Sequence, residues 1–167
     1  MQIRFCDSHF LGRRVGLSKV QPGELKVKAL TDFRRQSCRK KLHSFLGLAS
    51  YFRKFIPTYT HITSALSEMM KKCNELFWSE AAEKAFLAIK SVLASRPVLR
   101  PPNFELPFGI AVDASNLAIS CVLFQVYDNL EHPVCYFSKL LNKHQRGCST
   151  VEKEAMALRQ AVLQFRV

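Results

Sequence analysis

Two acidic residues occur where the sequence otherwise predicts a hydrophobic core. Asp113 interrupts the apolar stretch FGIAVDASNLAISCVLFQ, residues 108–125, at the end of a predicted strand. Glu154 lies in the first turn of a helix that is predicted from about residue 150 onward. A buried carboxylate without a partner is costly or takes up a proton, so something has to balance it. For Asp113, a turn, a cation or a metal ion could do so.

The periodicity of the last helix predicts which way its glutamates face. Its apolar stripe consists of Val151, Ala155, Leu158, Val162 and Phe165. With about 100° per residue, Glu154 falls near 300° from Val151, on the edge of this stripe. Glu152 lies away from the stripe and three residues after Ser149, which is the capping-box spacing. Glu152 is therefore predicted to cap the helix, and Glu154 to point inward toward a sheet.

Two carboxylates brought together without a cation repel each other, and one of them would have to be protonated. A hard divalent cation resolves this repulsion, because Mg²⁺ takes one or two carboxylates together with water and substrate phosphates. This is the setting for metal-assisted phosphodiester hydrolysis, in which Asp113 and Glu154 would be the catalytic and metal-binding residues. The residues alone leave an alternative open. An Asp at a strand end also forms Asx-turns, and a first-turn Glu also complements the helix dipole.

The elements that would position these acids are three strands and one helix. Segments 108–114, 118–127 and 132–138 are strand-like, and their short connections predict an antiparallel meander. The Pro-rich stretch RPPNFELP, residues 100–107, predicts a stiff connector and a domain boundary. Before it, the stretch 77–99 predicts a helix that has Ser79 as its N-cap and ends at Arg96-Pro97. The apolar stripe of this helix consists of Phe86, Ile89, Val92 and Leu93.

The N-terminal third predicts a small hairpin followed by a helix. Residues 8–22, SHFLGRRVGLSKVQP, suit a hairpin with basic residues at its turn. From Ser37 a helical pattern runs to Pro57, which ends it. Its apolar face consists of Leu42, Phe45, Leu46, Ala49, Phe52 and Phe55.

The positive charge is concentrated in the same third. Residues 1–57 contain thirteen Lys and Arg against three Asp and Glu, whereas residues 58–167 contain twelve against ten. Such clustering predicts a surface for a polyanion, although a lysine-rich face can also serve solubility alone. The residues predicted to contact phosphates without reading sequence are Arg13, Arg14, Lys19, Arg39, Lys40, Arg53 and Lys54.

Other features bear on the compartment. No apolar run reaches the ~18 residues of a membrane span, and the N-terminus lacks signal-peptide architecture. The six cysteines are widely spaced and include no C-x-x-C pair. This favours reduced thiols over a disulfide framework or a zinc site. The expected location is therefore the cytoplasm or the nucleus, without secretion and without a membrane partner.

Three segments carry a family resemblance. LHSFLGLASYFRKFIP (42–57), the stretch 77–115 that ends in AVDAS, and STVEKEAMAL (149–158) together resemble the pol polyprotein of gypsy-type LTR retrotransposons. The resemblance covers essentially the whole chain in order and spacing. It implies an α+β fold in three parts. These are a reverse transcriptase palm-end hairpin and thumb (1–57), a connection or tether (58–106), and a truncated RNase H-like domain (107–167) made of a three-stranded meander and one helix.

The resemblance also assigns roles. Asp113 in VDAS and Glu154 in KEAMAL match the first two catalytic carboxylates of RNase H, which implies Mg²⁺ and an RNA–DNA hybrid or duplex as partners. The family's site uses four acidic or equivalent ligands, and neither the later ligands nor the Y-x-D-D polymerase strand occurs in these residues. Ala118 and Ser120 also stand where the family usually has glycines. The expectation is a fragment of a longer pol polyprotein, inactive or nearly so by itself. The alternative is a non-catalytic, sequence-independent nucleic-acid-binding remnant.

Overall fold

The computed structural model describes residues 8–10, 13–16, 19–35, 38–71, 78–95 and 97–166. The chain forms two compact units. The N-terminal unit comprises Met1–Ile56 and Ile62–Pro101, and the C-terminal unit comprises Pro57–His61 and Pro102–Val167. Helices and antiparallel sheets occur together, so the predicted mixed fold class is confirmed.

The N-terminal unit begins with a small antiparallel sheet in the order β1-β2-β3. The strands are β1 (Ser8–Phe10), β2 (Arg13–Val15) and β3 (Val20–Pro22). The predicted hairpin therefore gains a third strand, because the chain reverses again where the Gly16 N–H donates to the Lys19 carbonyl at 2.8 Å. The basic pair Arg13 and Arg14 lies in the middle strand, which corrects the prediction that places basic residues at the turn.

Four α-helices and a 3-10 helix follow. They are α1 (Glu24–Thr31), α2 (Arg39–Tyr51), the 3-10 helix (Arg53–Phe55), α3 (Tyr59–Lys71) and α4 (Glu80–Ala94). Helix α1 is not predicted by the sequence pattern. The helix predicted up to residue 55 ends earlier than expected. The α-helix stops at Tyr51, and the chain continues after Phe52 as a 3-10 helix. Helix α4 begins as predicted, with the Ser79 hydroxyl accepting from the Ala82 N–H at 3.2 Å.

The core of the N-terminal unit is aromatic. The rings of Phe45 in α2 and Phe86 in α4 lie 4.6 Å apart between centroids, and Trp78 meets Phe86 edge-on at 5.5 Å. The predicted apolar faces of both helices are therefore the packed faces. Fully buried residues of this core include Leu42, Phe45, Ala49, Phe52, Ile89 and Leu93.

The C-terminal unit is built on a second antiparallel sheet in the order β4-β5-β6. The strands are β4 (Gly109–Ala114), β5 (Ala118–Tyr127) and β6 (Leu130–Leu140), which confirms the predicted meander. Asp128 and Asn129 join the last two strands with positive φ values of 52° and 61°, as a tight hairpin requires. Two helices follow, α5 (Lys143–Arg146) and α6 (Thr150–Phe165).

Helix α6 packs against β4 and β5 through a face that differs from the predicted one. Ala157 and Ala161 are buried, whereas Val151 and Leu158 are 75% and 52% exposed. The predicted stripe is thus wrong as a packing face. Alanine lets the helix approach the sheet closely, and larger side chains would hold it away. Ala157 packs with Ile119, Leu141, Val112 and Ala114.

A buried glutamine attaches the Pro-rich stretch to the sheet of the C-terminal unit. Gln125 in β5 is completely buried. Its amide group donates to the Asn103 carbonyl at 2.7 Å and to the Leu106 carbonyl at 3.2 Å, and its oxygen accepts from the Asn103 N–H at 2.9 Å. Residues 102–107 therefore belong to this unit by hydrogen bonding as well as by position.

The cysteines in the described ranges are all free thiols, and two of them differ sharply in environment. Cys38 is exposed at the start of α2, where the backbone N–H of Lys40 and then that of Lys41 lower the pKa of its thiol. Burial in β5 raises the pKa of Cys121 to about 11, with a further contribution from Cys135. None of the helices in the described ranges combines the length and apolar character needed to cross a membrane.

Candidate active site and nucleic-acid interface

Asp113 lies one residue before the end of β4, opposite Ser120 of β5. Its neighbours Val112 and Ala114 pack into the core, and Asp113 is on the alternate, exposed face of the strand. The prediction of an inward-facing position is therefore wrong for this residue. The error has a simple cause: alternation along a strand turns every second residue outward, even within an apolar run.

The turn after β4 is organised by Ser115. The Ser115 hydroxyl accepts from the N–H groups of Leu117 and Ala118 at 3.2 and 3.0 Å and donates to the Ala118 carbonyl at 2.9 Å. In the described ranges, no hydrogen bond of this turn comes from the Asp113 carboxylate. The turn-forming alternative for Asp113 therefore finds no support in these contacts.

Glu154 is exposed at the start of the second turn of α6, so the inward-facing prediction is wrong for this residue too. The rotation that buries the alanine face leaves Glu154 in solvent. The capping role predicted for Glu152 is confirmed. Its carboxylate accepts from the Ser149 N–H at 2.7 Å and from the Ser149 hydroxyl at 2.8 Å. These two hydrogen bonds, the backbone one first, lower the pKa of Glu152.

One side-chain hydrogen bond connects the two elements that carry the acids. Lys153 Nζ donates to Asn116 Oδ1 at 2.8 Å. Lys153 directly precedes Glu154 in α6, and Asn116 follows Asp113 by three residues in the turn after β4. The first turn of α6 therefore lies beside the end of β4, and both acids belong to the same end of the C-terminal unit.

The chemistry of this pair fits a hard divalent cation. Both groups are carboxylates, both are exposed, and Mg²⁺ retains several water ligands when carboxylates bind it. Within the described ranges, no group of three or more His, Cys, Asp or Glu side chains is arranged to hold a metal ion. Among the residues that the structure describes, Asp113 and Glu154 are thus two exposed carboxylates that belong to no such group.

Three of the seven basic residues predicted to contact phosphates are engaged inside the N-terminal unit. The Arg13 guanidinium lies 5.6 Å from the centroid of the Tyr51 ring. Arg14 pairs with Glu24 at 3.9 Å, and Arg39 donates to the Met70 carbonyl. These side chains have structural contacts, which a sequence pattern of charge does not reveal.

The other four predicted residues are exposed: Lys19, Lys40, Arg53 and Lys54. None of them forms an ion pair with another described residue. Sequence reasoning also missed Lys26, whose ammonium group lies 4.0 Å from the centroid of the Tyr51 ring. The only available signal was its place in the basic third, because α1 itself is not predicted. The exposed cations leave the N-terminal unit with a strongly positive surface.

Comparison with known proteins identifies the family. Residues 78–167 match the model of the RNase H-like domain found in reverse transcriptase. The chain is 36% identical over 165 residues to the retrovirus-related Pol polyprotein from transposon 297 of Drosophila melanogaster, covering 96% of this chain and 15% of that protein. It is 30% identical over 167 residues to the transposon Tf2-3 polyprotein of Schizosaccharomyces pombe, covering 96% of this chain and 12% of that one. The chain thus spans less than a fifth of the length of these relatives.

Solved structures show the same fold. A foamy viral protease–reverse transcriptase in complex with double-stranded DNA aligns with a TM-score of 0.82 and 19% identity, over 95% of this chain and 28% of that chain. A foamy viral protease–reverse transcriptase in complex with an RNA/DNA hybrid aligns with a TM-score of 0.80 and 19% identity, over 95% of this chain and 22% of that chain. The chain belongs to the RNase H-like domains found in reverse transcriptase, and its relatives are retrovirus-related Pol polyproteins of transposons. The predicted resemblance is confirmed.

Proposed function

We propose that this chain is the thumb, connection and RNase H-like part of a transposon reverse transcriptase that holds an RNA–DNA hybrid or duplex by its phosphates. The observation that carries the proposal is the uneven charge, since residues 1–57 hold thirteen basic against three acidic residues. Lys19, Lys40, Arg53 and Lys54 supply exposed cations on this unit. Such contacts bind phosphates without reading sequence.

The proposed division of labour follows the family's order. Residues 1–57 form the palm-end hairpin and thumb, residues 58–106 the connection, and residues 107–167 the RNase H-like part. The remainder of the Pol polyprotein is the natural partner of all three. The free thiols in the described ranges suit a reducing compartment, which is the cytoplasm or the nucleus.

In the RNase H-like part, Asp113 and Glu154 are the residues that would hold Mg²⁺. The bound ion would activate water and stabilise the leaving oxygen during hydrolysis of the RNA strand. The exposed position of both carboxylates leaves room for a hybrid to approach them. Two carboxylates do not form a two-metal clamp, so these 167 residues by themselves should bind Mg²⁺ weakly and cleave hybrids at or near background.

A second candidate is nucleic-acid binding without any catalytic contribution. It is favoured by the separation of the basic residues and the acids into different units. The two candidates differ in one respect only: whether the acid pair has a metal-binding role. Substitution of Asp113 therefore distinguishes the two candidate functions. Substitution of the exposed cations tests the nucleic-acid binding that both candidates include.

The test is fluorescence anisotropy with a labelled RNA–DNA hybrid between roughly 50 and 200 mM salt. For phosphate-driven binding to duplex DNA, log affinity falls against log salt with a slope of about −0.9 per neutralised phosphate. Hybrid binding by this chain should show the same steep dependence. An affinity that ignores salt over this range would contradict the proposal.

A further inference from the structure

Lys153 is a buried cation in an unfavourable place. Its exposed fraction is 6%, although it lies in the same helix as apolar residues that are more than half exposed. It also lies in the first turn of α6, where the helix dipole disfavours positive charge. Burial of an ammonium group is costly unless it is well paired. Burial and the helix dipole both make a positive charge at Lys153 unfavourable for the stability of the fold. The packing of this residue does not explain why a lysine occurs there.

The partner of Lys153 does not balance this cost. In the described part of the chain, Asn116 Oδ1 is the hydrogen-bond acceptor for Lys153 Nζ, at 2.8 Å. A neutral amide satisfies one of the three N–H donors and none of the charge. Residues that break local rules in this way occur mainly at functional sites. The position of this hydrogen bond, between the Glu154 turn and the turn after Asp113, indicates which site.

We propose that Lys153 and Asn116 are positioning residues that hold the Glu154-bearing turn of α6 against the Asp113-bearing end of β4. The inference rests on the proposed metal role of the acid pair and extends it to a residue pair that no sequence pattern indicated. Neither side chain is a ligand. The hydrogen bond limits how far the helix turn and the strand end can separate, and thereby sets the spacing at which two carboxylates share one ion.

The test uses Mn²⁺ as the probe, with free ion measured by electron paramagnetic resonance in the intact chain. The Mn²⁺ binding that is lost in Asp113→Asn is assigned to the acid pair, Asp113 and Glu154. Asn116→Ala keeps every charge and removes the hydrogen bond, so the affinity of this Mn²⁺ binding should weaken about tenfold or more, as for partners that orient metal ligands. Asn116→Gln keeps the amide but moves it by one methylene, and it should also weaken the Mn²⁺ binding that depends on Asp113. This variant replaces Asn116→Ala if the alanine variant does not fold.

The matched control is Gln160→Ala. Lys139 Nζ donates to Gln160 Oε1 at 3.2 Å, so this is also a lysine–amide bond between the sheet and α6, but it is exposed. Mn²⁺ binding should be unchanged in this variant. Lys153→Met should unfold at the same or a higher temperature than the parent, because a buried ammonium is replaced by an apolar chain of similar length.

The outcomes are distinguishable. Equal Mn²⁺ binding by the parent and Asp113→Asn would overturn both the metal role and this inference. Binding that depends on Asp113 but is unaffected in Asn116→Ala would overturn the positioning role alone. An equal loss in Gln160→Ala, or a clearly lower melting temperature of Lys153→Met, would show that the lysine contributes general stability and would also overturn it.

Discussion

Gln125 and Asn103 hold each other through two hydrogen bonds, one in each direction, between a buried strand and a Pro-rich stretch. Gln125→Met keeps the length of the side chain and removes these bonds. The free energy of unfolding should fall by about 1–3 kcal/mol, because backbone groups of the stretch lose their partners. Denaturant unfolding measures the change. Gln164→Met, on the exposed side of α6, is the control and should be neutral; equal stability of both variants would refute this role of Gln125.

The exposed and the engaged cations of the N-terminal unit should behave differently. Arg53→Ala combined with Lys54→Ala should weaken hybrid binding and reduce the salt slope by about two, with little change in melting temperature. Arg13→Ala should instead reduce stability, by about 0.5–1 kcal/mol for the lost contact with the Tyr51 ring. Removal of two exposed arginines, Arg159 in α6 and Arg166 at the C-cap of this helix, is the charge-matched control. Equal loss of binding in this control would mean that only net charge matters.

The acid pair should lie close together without supporting cleavage. We predict that the carboxyl groups of Asp113 and Glu154 come within roughly 4–6 Å, a distance at which one divalent ion can bridge them. An experimental structure with Mn²⁺ measures this distance. Cleavage of a labelled RNA–DNA hybrid by these 167 residues should be near background and unchanged in Asp113→Asn. Mg²⁺-dependent cleavage that this substitution abolishes would contradict the predicted inactivity.

The thiols of Cys38 and Cys121 should differ widely in reactivity. The lowered pKa of Cys38 raises the fraction of thiolate at neutral pH, and the residue is exposed. Cys121 is buried and its pKa is raised to about 11. Alkylation followed by peptide mass spectrometry at neutral pH should therefore modify Cys38 well before Cys121 in the folded chain. This difference in alkylation rate should disappear in denaturant. If it persisted there, the folded structure would not be the cause of the different reactivities.

The cap of α6 should make stability depend on pH. The pKa of Glu152 is lowered in the folded chain, so its charge stabilises the fold fully above the ordinary value of 4.5. This contribution is lost as the pH falls through the lower folded-state pKa. Glu152→Gln should therefore melt below the parent at pH 7, and the difference should vanish in acid. The control is Glu131→Gln, which removes the same charge from an exposed position in β6. If its melting temperature differed from that of the parent with a similar pH dependence, the cap would be excluded as the cause.

Local signals in the sequence were sufficient for most of the elements. The Ser79 cap predicts the start of α4, the spacing of Ser149 and Glu152 predicts the start of α6, and short turns between apolar runs predict the meander. Helix α1 escaped prediction because Gly23 precedes it without a capping side chain and because its apolar residues do not form a clear stripe.

The packing face of α6 could not be predicted because two apolar faces compete on this helix. Periodicity favours the larger residues, such as Val151 and Leu158, whereas the sheet accepts Ala157 and Ala161. Which face wins depends on how closely two backbones approach, and a sequence pattern carries no such distance. The exposure of Glu154 and the bridge from Lys153 to Asn116 follow from that choice, so this part of the candidate site was beyond prediction as well.

Trp78 gives the chain an optical label. It is the single tryptophan of the sequence, and it packs against Phe86 with the Arg35 guanidinium 5.3 Å from its ring centroid. All three residues belong to the N-terminal unit. Tryptophan emission therefore reports the melting of that unit alone, whereas far-ultraviolet circular dichroism reports helices and strands of both. A comparison of the two signals during one thermal scan resolves, in the intact and unlabelled chain, whether the N-terminal unit and the C-terminal unit unfold together.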